Sequence, residues 1–203
     1  MHGPEMKIPQ IFAAFSVCAA LTLSACSSPA PTQTLPQMSF AHLGTLNFNV
    51  ETIEIDNRYK APTDGTYIED RFSTPPATAI RTWAIQRLKP VGEIGSGSLR
   101  VVINQASVKE TDLKRDESFK GTFTKQQTNR YDLALDIALE IIDATGKQVG
   151  FSAAKASRSI TTSEDISLND REKRWFETTE KSMNDLNTEM ESNIRRYLAA
   201  WLR

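Results

Sequence analysis

The sequence is poor in the side chains that most often perform chemistry. Two cysteines, Cys18 and Cys26, and two histidines, His2 and His42, occur among 203 residues. Residues 27–203 therefore offer no thiol for a disulfide, a metal ligand or a nucleophile. Because His42 is the only imidazole in that range, catalysis by histidine is not expected.

An excess of charge of either sign is also missing. The chain carries 24 basic and 25 acidic side chains, which gives a net charge of -1. Proteins that bind nucleic acid usually present a basic surface to the phosphates. Nucleic acid is therefore not expected as a partner.

The one notable apolar segment is short and lies near the N-terminus. Residues 11–23 are apolar except for Ser16 and Thr22, and Lys7 precedes them. A membrane-spanning helix needs about 20 apolar residues, so this segment is too short to span a bilayer. A basic residue followed by a short apolar segment with a small-residue end is typical of a secretory signal peptide. The sequence therefore predicts export and removal of residues 1–25.

The end of this segment resembles a known processing site. Leu23-Ser24-Ala25-Cys26 is similar to the lipobox of bacterial lipoproteins, where a peptidase cuts before a cysteine that carries a diacylglycerol. The resemblance implies that Cys26 receives acyl chains such as palmitate and anchors the protein in a membrane. Ser27 stands where an aspartate would retain a lipoprotein in the inner membrane, which implies the periplasmic face of the outer membrane. The alternative is an ordinary signal peptide, with Cys26 present by chance.

The segment after the cysteine has the composition of a linker. Pro29, Pro31 and Pro36 stand among serine, threonine and glutamine, which cannot bury a core. We expect three parts: a signal peptide at 1–25, a lipidated cysteine and flexible tether at 26–43, and one periplasmic domain at 44–203. The last part is long enough for a single hydrophobic core.

The first half of the domain has the pattern of a strand, a helix and a second strand. Alternation from Leu46 to Ile55 predicts a strand, with a change of phase at Ile53 that suggests a bulge. Residues 58–72 have the composition of a surface loop. Apolar residues then recur at helical spacing, with Thr74 as the expected N-cap and Pro90 as the stop. A β-branched stretch over 99–108 predicts a strand in the middle of a sheet.

The second half has the pattern of a hairpin and a long helix. Apolar residues alternate with polar ones from Tyr131 to Ile141, which predicts a strand with one buried face. Turn residues at 143–146 lead to a return strand through Val149, Phe151 and Ala153. Residues 163–202 contain neither proline nor glycine and have an amphipathic helical pattern, with Ser167 and Asp170 spaced as a capping pair.

The order β-α-β-β-β-α predicts an α+β fold. We expect a two-layer sandwich in which two helices cover one face of a four-stranded mixed sheet. A right-handed crossover through the first helix would make the first two strands parallel. Trp83, Trp175 and Trp201 are interpreted as core residues.

No motif in the sequence indicates catalysis. Asp132, Asp136 and Glu140 share one strand face, but residues four apart on a strand are about 13 Å apart, so a solvated face is expected. Residues 95–98 are rich in glycine, yet they precede a strand rather than a helix, which favours a turn over a phosphate loop. We therefore predict no catalytic residue, no cofactor, no metal and no enzyme activity.

One loop combines aromatic and basic residues. Phe119 and Phe123 stand near Lys120 and Lys125, a combination that suits lipid headgroups or a protein groove. These four residues are the candidate partner or lipid contact. The alternative is that the phenylalanines cover the edge of the sheet.

Several segments also resemble an uncharacterised lipoprotein family that is common in alphaproteobacteria. They are 119–121, 123–127, 167–173 and 183–187. The lipobox, tether and element order together are similar to small accessory lipoproteins of Gram-negative envelope machines for lipopolysaccharide export or lipid transport. The resemblance implies an accessory, assembly or transport-auxiliary protein that binds a protein or lipid partner. A peptidoglycan-synthase activator or cell-wall-linked binding module is the alternative, followed by a hydrolase.

Overall fold

The computed structural model describes Gly3, residues 35–114 and residues 126–203. All of this except Gly3 belongs to one unit, residues 34–203. Its strands are β1 Leu46–Phe48, β2 Thr52–Asn57, β3 Leu88–Pro90, β4 Ser98–Asp112, β5 Gln127–Ile142 and β6 Gln148–Ser163. Its α-helices are α1 Pro76–Arg87 and α2 Leu168–Tyr197, and short 3-10 helices occupy Ala41–Leu43, Glu69–Arg71 and Ala199–Trp201.

The predicted α+β fold is confirmed. The main sheet has four strands in the order β2-β4-β5-β6, and a small second sheet pairs β1 with β3. β2 and β4 are parallel, whereas β4-β5 and β5-β6 are antiparallel, so the sheet is mixed as expected. The apolar side chains of β5 share one core with residues of α1 and α2, such as Trp83 and Leu186. The strand over 99–108 is central, as predicted, and extends to Asp112.

The first predicted strand is wrong as a single element. The chain turns after β1, where the amide of Val50 donates to the carbonyl of Phe48 at 2.8 Å. β1 pairs with β3 in one sheet, and β2 then pairs with β4 in the other. The change of phase at Ile53 therefore marks a switch between two sheets rather than a bulge.

Helix α1 begins and ends differently from the prediction. Its N-cap is Pro75 rather than Thr74, and no side chain caps it. Pro76 occupies the first turn, where the missing N–H of proline removes one of the donors that a cap would satisfy. The helix ends at Arg87, before Pro90, because Leu88–Pro90 leaves it to pair with β1.

The return strand β6 is much longer than its apolar residues indicated. It runs to Ser163, and its buried residues include Ser152, Ala154 and Ala156. Val149 and Phe151 are exposed. Small side chains on the buried face let α2 lie close to the sheet, but hydropathy does not distinguish them from solvent-facing residues. The pattern of large apolar residues therefore missed most of this strand.

Helix α2 is capped as predicted. The Ser167 hydroxyl accepts a hydrogen bond from the Asp170 amide at 3.1 Å and donates to the Asp170 carboxylate at 2.7 Å. The helix ends at Tyr197, and Leu202 beyond it forms a bridge to Phe48. Most residues on its predicted apolar face are buried, namely Phe176, Thr179, Met183, Leu186, Met190 and Ile194. Tyr197, on the same predicted face, is exposed.

The predicted core tryptophans pack inside the domain to different extents. Trp83 is fully buried, and Trp175 is almost fully buried and stacks on Phe72 with 4.6 Å between ring centroids. Trp201 is partly buried against the same core. Met38 and Phe40 are also buried in this core, so packed residues occur before residue 44.

A buried arginine connects the segment before β1 to both helices. Arg87 is 2% exposed, and its Nη1 donates to the carbonyls of Leu43 and Gly44 at 2.5 and 2.6 Å. Its Nε donates to Asn187 at 3.2 Å and its Nη2 to Glu191 at 2.5 Å. Because α1 carries the arginine and α2 carries its side-chain partners, this group joins three parts of the domain.

Candidate functional site

The residues predicted to act in function lie outside the described residues. This applies to Cys26 and to the candidate contact residues Phe119, Lys120, Phe123 and Lys125. The structure describes the strands on either side of the latter group. β4 and β5 pair from Ser98↔Ile142 to Asp112↔Asn129, so the chain leaves and rejoins the sheet at one end of this ribbon.

The carboxylates on the helix-free face are paired individually. Asp132 binds Arg130 at 2.8 Å, Asp136 binds Lys155 at 2.7 Å and Glu140 binds Arg100 at 3.3 Å. Burial alone would raise the pKa of Asp132, but hydrogen bonds from Ser159 and Arg130 lower it below its usual value. Each acid therefore has its own partner, and the three do not form one site.

The described residues provide little for catalysis. His42 is exposed in a short 3-10 helix. Within residues 35–114 and 126–203, no group of three histidine, cysteine or acidic side chains is placed to hold a metal ion. No helix in those ranges is both long enough and apolar enough to cross a membrane.

The outer edge of β6 is the feature that stands out. β6 is the last strand of the sheet, and no strand of the described residues pairs with its outer side. Backbone groups in an antiparallel strand point alternately towards and away from the neighbouring strand. The carbonyls of Ala153 and Thr161 point away from β5, because Asn193 and Arg174 of α2 donate to them at 2.9 and 3.4 Å.

Three residues between those two carbonyls point their backbone groups in the same direction. Lys155, Ser157 and Ser159 have the same parity as Ala153 and Thr161, and the β5-β6 register runs without a shift between them. All three are exposed. Their N–H and C=O groups therefore face outward along an edge without a strand partner in the described part of the chain.

Helix α2 runs alongside this edge in the opposite direction. From Arg174 to Asn193 the helix rises about 28 Å at about 1.5 Å per residue. From Ala153 to Thr161 the strand extends about 26 Å at about 3.3 Å per residue. The two lengths agree, so α2 forms hydrogen bonds with β6 at both ends of residues 155–159, which we call the open stretch. Between the ends, Arg158 reaches Asp185 at 2.6 Å.

A groove separates the open edge from the helix. It has a volume of 530 Å³ and is lined on the strand side by residues 157–160. Arg174, Glu177, Thr178 and Lys181 line the helix side. The buried face of β6 carries the small residues Ser152, Ala154 and Ala156 up to this point, and the next residue on that face is the larger Arg158, which lines the groove. A second groove of 450 Å³ shares Arg174 and Glu177 and continues towards the start of α2.

This edge has few of the devices that usually prevent strand pairing. Folded proteins protect edge strands with proline, bulges, short length or exposed charge. β6 contains no proline and is 16 residues long. Its one lysine, Lys155, is 74% exposed and pairs with Asp136 across the sheet. The sequence signal for this site is residues 152–163, which are mostly alanine, serine and threonine and contain no proline. These small side chains do not produce an alternation of large apolar residues.

Comparisons with known proteins give distant structural similarity only. No protein-family model and no curated protein matches the chain. The chain resembles the crystal structure of a minor lipoprotein from Acinetobacter baumannii at 13% identity, covering 72% of this chain and 93% of that one, with a TM-score of 0.36.

Two further structures are also only distantly similar. One is a putative neuraminyllactose-binding hemagglutinin homolog from Helicobacter pylori, at 9% identity and TM-score 0.38, covering 77% of this chain and 92% of that one. The other is the dodecamer of a PelC variant from Paraburkholderia phytofirmans, at 13% identity and TM-score 0.21, covering 70% and 89%. At these TM-scores the three structures do not indicate the function of this chain.

Proposed function

We propose that this chain is a non-enzymatic, lipid-anchored accessory protein of the cell envelope that holds a protein partner at the outer edge of β6. The proposal rests on the outward backbone groups of Lys155, Ser157 and Ser159, which have no strand partner in the described ranges. They lie between two carbonyls that accept hydrogen bonds from α2. An extended segment of another protein would add to the sheet there as a fifth strand.

Strand addition gives affinity through main-chain hydrogen bonds. Each open residue offers one donor and one acceptor, and each bond contributes about 0.5–1.5 kcal/mol net. The edge is already extended and held against α2, so little ordering is required of this protein when a partner binds. A partner whose pairing segment is also extended would therefore bind without a large conformational change.

The anchor and the location are proposed from the sequence. Cys26 would carry the acyl chains and hold the protein at the periplasmic face of the outer membrane, with residues after it as the tether. Phe119 and Phe123, with Lys120 and Lys125, are proposed as a second contact with the protein partner or with lipid. Neither proposal depends on the β6 edge.

The edge can be blocked without breaking the domain. The N–H of Ser157 points outward, so Ser157→Pro removes no hydrogen bond to β5 but prevents pairing at the centre of the open stretch. With a photo-crosslinking amino acid in place of Ser159 in living cells, we expect a specific crosslinked partner. Ser157→Pro should abolish that crosslink, and the matched variant Ser157→Ala should retain it.

The melting temperature of Ser157→Pro is the control for this experiment. The melting temperature of Ser157→Pro should stay within a few degrees of the parent, because edge strands tolerate proline. A crosslink that persists at full strength in a folded Ser157→Pro protein would show that the partner does not pair with β6.

A further inference from the structure

We infer that the partner segment presents acidic side chains to the groove between β6 and α2. This inference rests on the proposed function of the β6 edge. It adds the chemical nature of the segment and a reason why that segment, rather than any extended chain, is selected.

The geometry of a pleated sheet sends half of the partner's side chains into the groove. A strand added beside β6 would lie about 4.8 Å from it, and its side chains would alternate between the two faces of the sheet. Those on the helix side enter the space between residues 157–160 and α2. The groove, at 530 Å³, is large enough for several side chains.

The walls of the groove are predominantly basic. Arg158, Arg174 and Lys181 line it together with one carboxylate, Glu177. Arg158 is already paired with Asp185. Neither Arg174 nor Lys181 forms an ion pair with a residue in the described ranges, and both are exposed. Arg174 uses one of its five N–H donors on the carbonyl of Thr161 at 3.4 Å, so both cations can still approach an anionic ligand. Basic side chains on a partner would be repelled.

The spacing of the two cations suits an extended chain. Arg174 and Lys181 are seven residues apart, so they lie on the same side of α2 about 10 Å from each other. Successive helix-side residues of a strand are about 6.7 Å apart. Because lysine and arginine side chains are long and flexible, two acidic residues at successive helix-side positions would each reach one cation.

The same charges disfavour a second copy of this chain as the occupant. If two copies paired their β6 strands, each would bring its own Arg158 to the helix side of the shared sheet. That arginine would face the basic wall of the other copy. A like-charge contact of this kind opposes self-pairing, so the segment of a different protein is the better fit.

Two synthetic peptides test the inference on the purified, acylated full-length protein in detergent micelles. Both alternate threonine with a charged residue, which is glutamate in one peptide and lysine in the other. We expect the glutamate peptide to bind at least about tenfold more tightly by fluorescence anisotropy. Lys181→Glu should remove most of this preference, while Arg196→Glu, a matched reversal on α2 outside the groove lining, should leave it unchanged.

The outcomes separate this inference from the proposed function. Equal affinity for both peptides, or a preference that Lys181→Glu leaves unaltered, would overturn the acidic-segment inference even if Ser157→Pro abolishes the crosslink in cells. Failure of both peptides to bind would also overturn it. A peptide-free dimer that Ser157→Pro dissociates would assign the edge to a second copy instead. Failure of the proposed function would appear separately, as a crosslink that Ser157→Pro does not affect.

Discussion

Replacing Arg87 with methionine is expected to lower the free energy of unfolding by about 3–5 kcal/mol. Methionine fills much of the same space, so the loss comes from polar groups rather than from a cavity. The carbonyls of Leu43 and Gly44 and the side chains of Asn187 and Glu191 would each lose a donor. Asn187 would keep the indole N–H of Trp83 and Glu191 would keep Arg195, so the main cost is the two carbonyls, which are left desolvated without this donor.

Urea denaturation monitored by circular dichroism measures this loss, and Arg195→Ala is the matched control. Arg195 binds the same carboxylate, Glu191, at 2.6 Å, but its side chain is 62% exposed. Exposed ion pairs contribute about 0–1 kcal/mol, so the control should change stability little. A loss in Arg87→Met no larger than about 1 kcal/mol would mean that Arg87 acts only as one surface ion pair.

The same cluster makes stability depend on pH in a defined direction. The hydrogen bond from Arg195 and the positive charge of Arg87 hold the pKa of Glu191 below its usual 4.5, against the effect of burial. A carboxyl with a lowered folded-state pKa stabilises the fold above its unfolded pKa, and this contribution is lost as the pH falls through the folded value. The stability difference between wild type and Arg87→Met should therefore narrow as the pH falls below 4.5 and through the lowered pKa of Glu191.

Cys26→Ser, with residues 1–25 replaced by a signal peptide that is cleaved without acylation, is expected to release the protein from the membrane completely. Stable anchoring requires two or more acyl chains, because a single chain gives only marginal, reversible binding. Without a thiol no diacylglycerol can be attached, and the domain should fold and remain in the soluble periplasmic fraction. Membrane fractionation measures the change, and the mass spectrum of the mature wild-type chain should show the acyl groups.

Cys18→Ala is the matched control for the anchor. Cys18 lies in the apolar segment that the signal peptidase is expected to remove, so its replacement should leave the mature protein acylated and membrane-bound. Continued membrane retention of the Cys26→Ser protein after its replaced signal peptide has been cleaved, or an unmodified N-terminus in the wild type, would rule out the lipid anchor.

Sequence patterns predicted the elements in which local chemistry and burial agree. The alternation from Tyr131 to Ile141 identified β5 because one of its faces packs against the core while the other faces solvent. Ser167 and Asp170 marked the start of α2 because a capping pair acts within one turn. The α+β architecture followed from the order of these elements along the chain.

The remaining features depend on contacts between distant residues. Leu46–Phe48 and Thr52–Asn57 read as one strand because nothing local shows that they join different sheets. β6 was underestimated because small side chains face α2, whose proximity the sequence does not display. The Arg87 cluster joins residues about 100 positions apart on α1 and α2, and no spacing rule brings them together. The β6 edge became a candidate site only once the strand order was known.

Amide hydrogen exchange in β6, measured by NMR with and without the crosslink-identified partner, tests the binding edge most directly. Free protein should exchange rapidly at Lys155, Ser157 and Ser159, while Ala154, Ala156 and Arg158 are slow because their amides face β5. Addition of the partner should slow exchange at the first three residues and leave the alternate ones unchanged. Unaltered exchange at Lys155, Ser157 and Ser159 in the saturated complex would contradict strand addition at this edge.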